Sequence, residues 1–89
     1  MLSENKMFLL AKGLARGEHL EGDTYKNAYI TYDDAVDTYG SKESALSALN
    51  SLRSWGYIMT TDICGVFAII RAPEDCHTMA NNLKKTLFG

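Results

Sequence analysis

The sequence predicts a small α+β domain, and three observations carry that reading. Apolar residues recur at helical spacing in four separate stretches. A Ser or Thr stands ready to cap each of the first three. Directly after Gly56 the helical period gives way to a β-rich run, YIMTT and VFAIIR, parted by the turn residues of DICG. The predicted order is α-(β)-α-α-β-β-α, within one unit spanning residues 1–89.

Ser3 caps a first helix from about Glu4 to Arg16, with a stripe of Met7, Leu10, Ala11 and Leu14 at i, i+3, i+4, i+7. Phe8, Leu9 and Ala15 widen the stripe, so this helix either sits deep in the domain or packs on a second subunit. Gly17 stops it, and GEHLEGDTYKN follows as the long polar connection. His19 stands there without a partner at metal or catalytic spacing and reads as a surface histidine. Tyr25 to Ile30 favours extended backbone and is expected to pair with the later hairpin.

Thr31 with Asp34 makes a short-armed capping box, opening a helix over Tyr32 to Tyr39. Asp33 and Asp34 suit its positive end. Gly40 ends it and Ser41 begins the next helix at once, so the two helices must cross steeply and share a core. That third helix, residues 41–55, carries Ala45, Ala48, Leu49 and Leu52 on one side, with Glu43, Ser47, Asn50, Ser51 and Ser54 opposite. Tyr57 to Thr61 then pairs with Val66 to Arg71; VFAII is apolar on both faces, so one face covers the helices and the other meets the last helix or a partner.

Proline in the first turn and two acids after it open the C-terminal helix, residues 73–88, with the stripe Cys76, Met79, Ala80, Leu83 and Leu87 and Phe88 alongside. Both ends of the chain are thus apolar helices. Met7, Phe8, Leu10, Leu14, Met79, Leu83, Leu87 and Phe88 are the candidate surface of a homodimer.

Eighty-nine residues, 46% apolar, suffice for one core and not for two. Nine Lys plus Arg against eleven Asp plus Glu give a net charge of −2 and a pI near 5.5, which does not favour phosphate binding by the chain as a whole. The apolar runs fall short of the ~20 residues that span a bilayer. MLSENKMFLLAKGLARGE carries Glu4 ahead of its apolar patch and lacks a small-residue cleavage site, so it is not read as a signal peptide. No membrane association and a cytoplasmic setting are expected. Cys64 and Cys76 lack zinc spacing and are expected to be reduced, Cys76 in the core and Cys64 at the hairpin tip. No cofactor is expected. An enzyme has little support, since His19 and His77 lie apart in the sequence and neither a nucleophile–base pair nor a glycine-rich phosphate loop is recognisable.

The run ITYDDAVDTYGSKESALSALNSLRSWGYIMTT resembles the winged helix-turn-helix superfamily, in which a short helix, a turn and a longer helix lead into a β-hairpin wing. The positions that carry the resemblance are Ala35, Val36, Gly40, Leu49, Leu52, Gly56, Tyr57 and Ile58, within a core motif over residues 28–71. It implies a small winged helix whose third helix enters the major groove of duplex DNA, bringing Ser41, Lys42, Ser44, Ser47, Asn50 and Ser51 near the bases. Lys26, Lys42 and Arg53, with Arg71 as a marginal fourth, are the cations that can lie near such a surface. Glu43 on the third helix, Asp62 in the wing and the three aspartates of the preceding helix depart from a DNA-binding pattern. Two functions follow as expectations: a homodimeric transcriptional regulator that binds duplex DNA, or a protein-interaction module that uses the same fold as an inhibitor or adaptor.

Overall fold

The computed structural model describes residues 2–88, the side chains of Leu87 and Phe88 excepted. Four helices and two small antiparallel sheets follow in the order α1 (Glu4–Arg16), β1 (Glu18–Glu21), β2 (Thr24–Lys26), β3 (Tyr29–Thr31), α2 (Tyr32–Tyr39), α3 (Lys42–Ser54), β4 (Ile58–Thr60), β5 (Val66–Ile69) and α4 (Glu74–Phe88). Among the described residues no helix is long and apolar enough to cross a membrane.

The helix boundaries are set by local chemistry. The Ser3 hydroxyl accepts from the N–H of Lys6, that of Ser41 from Ser44, and Thr31 and Asp34 form a complete capping box at the start of α2. Gly40 closes α2 in the left-handed conformation, at φ 78°, which a glycine adopts without the steric cost a Cβ would bring.

Helix α1 is the centre of the domain. It packs on α4, α2, β3 and β5, and its Leu9 and Leu10 are fully enclosed. Ile30, Ile58 and Ile69 meet them from the sheet, Leu49 and Leu52 from α3, and Cys76 and Ala80 from α4. Leu10 and Leu14, candidates above for a dimer surface, are therefore core side chains of the single chain. Met7, Met79 and Leu83 are half-buried and pack against the same core, and Phe8 is exposed. The cause is that α1 and α4 pack on one another, so each buries the other's stripe. Leu87 and Phe88 fall outside the described side chains.

The three-stranded sheet has the order β3-β5-β4, with Ile30 opposite Phe67 and Ile58 opposite Ile69 on its inner face. The strand expected over Tyr25 to Ile30 is in fact two. Asn27 turns the chain with φ 58°, so β2 ends and β3 begins around it. Only β3 joins the sheet; β2 pairs with β1 in a separate hairpin within the polar segment expected to be a connection. The turn at Gly22, φ 54°, lets that segment fold back. On the outer face of the sheet Tyr29, Ala68 and Met59 form one cross-strand row, with Tyr29 and Met59 exposed.

Candidate docking groove between α3 and the β4–β5 hairpin

The β4–β5 loop is held in a fixed shape. Thr61 Oγ1 accepts from the N–H of Ile63 at 3.1 Å and lies within donating reach of the Val66 carbonyl at 3.0 Å. The N–H of Tyr32 donates to the Gly65 carbonyl at 2.8 Å, fastening the loop to the start of α2. Thr61, a β-branched residue with a hydroxyl, is suited to closing such a turn on itself.

A groove of about 740 Å³ results between this loop and α3. Leu46, Leu49, Asn50 and Arg53 line it from α3, Thr60, Ile63, Val66 and Phe67 from the hairpin, and Tyr32 and Asp33 from α2. Leu49 is buried beneath it, whereas Leu46 is 51% and Ile63 66% exposed. Two large aliphatic side chains thus stand in water on the rim of a preformed groove, and grouped exposure of this kind marks an interaction surface more than scattered single residues do.

The residues expected to meet DNA do not form one surface. Lys42, Ser44, Ser47, Asn50 and Arg53 are exposed on α3, while Ser51 is half-buried and the Ser41 hydroxyl is committed to capping. Asn50 and Arg53 line the groove; Ser44 and Ser47 line a shallow depression with Lys6, Tyr39 and Glu43, on the α1 side. Lys26 belongs to neither. It lies with Arg16, Glu18, Asn27 and Lys84 beside the end of α1, because its strand pairs with β1 and leaves the three-stranded sheet.

The basic residues are largely occupied within the chain. Arg16 and Lys12 face Asp34, Lys84 donates to the Gly17 carbonyl at 2.6 Å, and Lys6 lies over the Trp55 ring. Arg71 donates to the Trp55 carbonyl at 2.6 Å and stacks on Tyr57, so it closes the end of α3 and does not reach outward as a phosphate contact. Lys42 and Arg53 remain as the cations of the outer α3 face, with Glu43 between them in sequence and Asp33 across the groove. Among the described residues Arg53 has no carboxylate within ion-pair distance.

Three features escaped the sequence reading. Leu46 belonged to neither the apolar stripe nor the polar face assigned to the third helix. Arg71, at most a marginal member of the phosphate-facing cations in the sequence, is a helix-end donor to the Trp55 carbonyl. His19, read as solitary, stacks on His77 with ring centroids 4.4 Å apart. Among the described residues no three His, Cys, Asp or Glu side chains converge to hold a metal ion.

No protein-family model, curated protein or solved structure matches the chain.

Proposed function

We propose that this chain is a non-enzymatic protein-interaction module with a winged-helix arrangement, which docks an apolar segment of a partner protein into the groove between α3 and the β4–β5 hairpin. The winged-helix reading is supported by the tight α2–α3 junction at Gly40 and Ser41, the hairpin directly after α3, and the pairing of β3 with β5. The observation that carries the docking reading is the exposure of Leu46 and Ile63 on the rim of a groove that, among the described residues, has Arg53 as its basic side chain. Arg53 lacks an intramolecular carboxylate among the described residues, so the docked segment is expected to bring an acidic side chain beside its apolar ones.

Duplex DNA read by α3 of a homodimer is the second reading, favoured by the joint exposure of Lys42, Asn50 and Arg53. Phosphate affinity rests on clustered cations, and Asp33 across the groove and Glu43 on α3 oppose it. Capture from an extract of the source cells, with Leu46→Glu, Ile63→Glu and Lys85→Glu compared with wild type, separates the two. The docking reading expects one stoichiometric protein retained by wild type and Lys85→Glu and lost from the first two. Binding of random-sequence duplex at low salt that Lys42→Ala and Arg53→Ala abolish would overturn it in favour of DNA.

A further inference from the structure

His19 in β1 and His77 in the first turns of α4 stack almost parallel, with an interplanar angle of 9°. Tyr25 of β2 completes the cluster: its ring lies 5.1 Å from that of His19, and its hydroxyl shares a 3.1 Å hydrogen bond with His77 Nε2. His19 Nε2 donates to the Gly22 carbonyl at 2.6 Å, so its proton is spent inside the hairpin turn. The β1 residues are all exposed, Leu20 included, and the rings of His19 and Tyr25 on His77 join hairpin and helix.

We propose that the His19–His77 stack is a pH-sensitive clasp that holds the β1–β2 hairpin against the start of α4 and lets it go on acidification. Two neutral imidazoles stack favourably, and two imidazolium ions at the same spacing repel. With both ring nitrogens of His77 protonated, the Tyr25 hydroxyl can act only as acceptor in their hydrogen bond. Burial, then the nearness of His19, holds the His77 pKa below its ordinary 6.5 against the opposing pull of Glu74 and Asp23. A group with a depressed basic pKa stabilises the folded arrangement fully above its unfolded value and loses that contribution as pH falls through it. The other charges nearby are Glu18, Glu21 and Lys26 on the hairpin and Asp75 on α4; Arg16, at the end of α1, is already held by Asp34. Asp23 and Glu74 are the carboxylates that act on His77, and their pull falls short of the burial and His19 effects combined.

Amide hydrogen exchange of residues 18–26, corrected for intrinsic rate, tests the clasp between pH 7.5 and 5.0. Wild type should lose protection by about fivefold or more, the factor that two unit charges about 4 Å apart impose in water-like surroundings. His77→Gln keeps a hydrogen-bonding group for Tyr25 but cannot charge, and its hairpin should change less than about twofold over the same range. Unchanged protection in wild type, or an equal loss in His77→Gln, overturns the proposal. Should His77→Gln fail to hold the hairpin even at pH 7.5, the imidazole Cε1–H titration decides. His77 titrating below 6.5 in wild type and higher in His19→Gln supports the clasp, and a His77 midpoint indifferent to His19 refutes it.

Discussion

The carboxylate of Asp34 does two structural tasks at once: it accepts the N–H of Thr31 to complete the α2 capping box, and it grips the guanidinium of Arg16 at the end of α1. Arg16 Nη2 donates to Oδ1 at 2.7 Å while Nη1 donates to the other oxygen, a two-pronged pair that fixes orientation as well as distance. Arg16 Nη1 also reaches the Tyr29 carbonyl at 3.2 Å, so one ion pair joins α1, β3 and α2.

Asp34 is enclosed, and truncating it leaves Arg16, whose guanidinium it pairs at the edge of the core, without its partner. Asp34→Ala should lower stability by about 3 kcal/mol, at the low end for a broken buried pair because the Arg16 side chain keeps contact with water. Urea unfolding at pH 7 reads this directly. A loss below about 0.5 kcal/mol would mean that the pair is no more than a surface contact.

The same carboxyl sets an acid limit. Burial is the largest single influence on Asp34 and favours the neutral form, but the Arg16 and Thr31 hydrogen bonds and the Arg16 charge together outweigh it and bring the pKa down from 3.8 to about 2. With the folded pKa depressed, this stabilisation is complete above pH 3.8 and fades as pH falls toward 2. It amounts to about 2 kcal/mol. Wild type should therefore lose stability between pH 4 and pH 2 more steeply than Asp34→Asn, measured by thermal unfolding across that range.

Gly13 is required by close approach, not by backbone conformation. A Cβ there would lie 2.6 Å from Ile30 Cγ2 and Ile69 Cδ1 and 2.7 Å from the Tyr29 carbonyl oxygen, so α1 rests directly on β3 and β5. The helix-propensity gain of alanine, about 1 kcal/mol, should be more than cancelled by this overlap. Gly13→Ala should be net destabilising by about 1–2 kcal/mol in denaturant unfolding. Net stabilisation would show that the helix can lift off the sheet at no cost.

What was legible in the sequence was whatever three or four neighbouring residues decide. Ser3, the Thr31–Asp34 box, Gly40 with Ser41, and Pro73 mark helix ends through contacts that span a single turn. The β1–β2 hairpin was not legible, because all four β1 residues face solvent and no alternation of apolar and polar side chains betrays the strand. The Gly22–Asp23 turn was the one local clue. The second role of Asp34, the stack of His19 on His77 and the placement of Lys26 away from α3 depend on which elements meet in space. For the site, helical period placed Leu49 correctly inside, but whether Leu46 is covered depends on how far the hairpin reaches, which no spacing within α3 encodes.

That difference between two leucines of one helix is measurable. Leu49 is 3% exposed and joins the core beneath the groove, so Leu49→Ala should cost about 2–5 kcal/mol. Leu46→Ala should change stability by less than about 0.5 kcal/mol, since its side chain is half in water already. If Leu46→Ala proved as costly as Leu49→Ala, the groove would be closed in solution and the docking surface would not exist.

The two cysteines give a chemical reading of the same boundary between core and groove. Cys64 is exposed on the β4–β5 loop, next to Ile63, and lines the groove. Cys76 is enclosed between α4 and α1, its Sγ 3.5 Å from the Met7 carbonyl oxygen, and burial, with a smaller push from Asp75, raises its pKa to about 11. The thiolate is the reactive form, so a buried thiol with so high a pKa is doubly protected. A thiol-specific reagent at pH 7.5 should label one cysteine per folded chain, and peptide mapping should place the label on Cys64. Cys76 should react only once denaturant has opened the core. A docked partner in the groove should slow labelling at Cys64 without altering the fate of Cys76, and Cys76 labelling at native rates would show that α4 separates from α1 far more readily than the packing here allows.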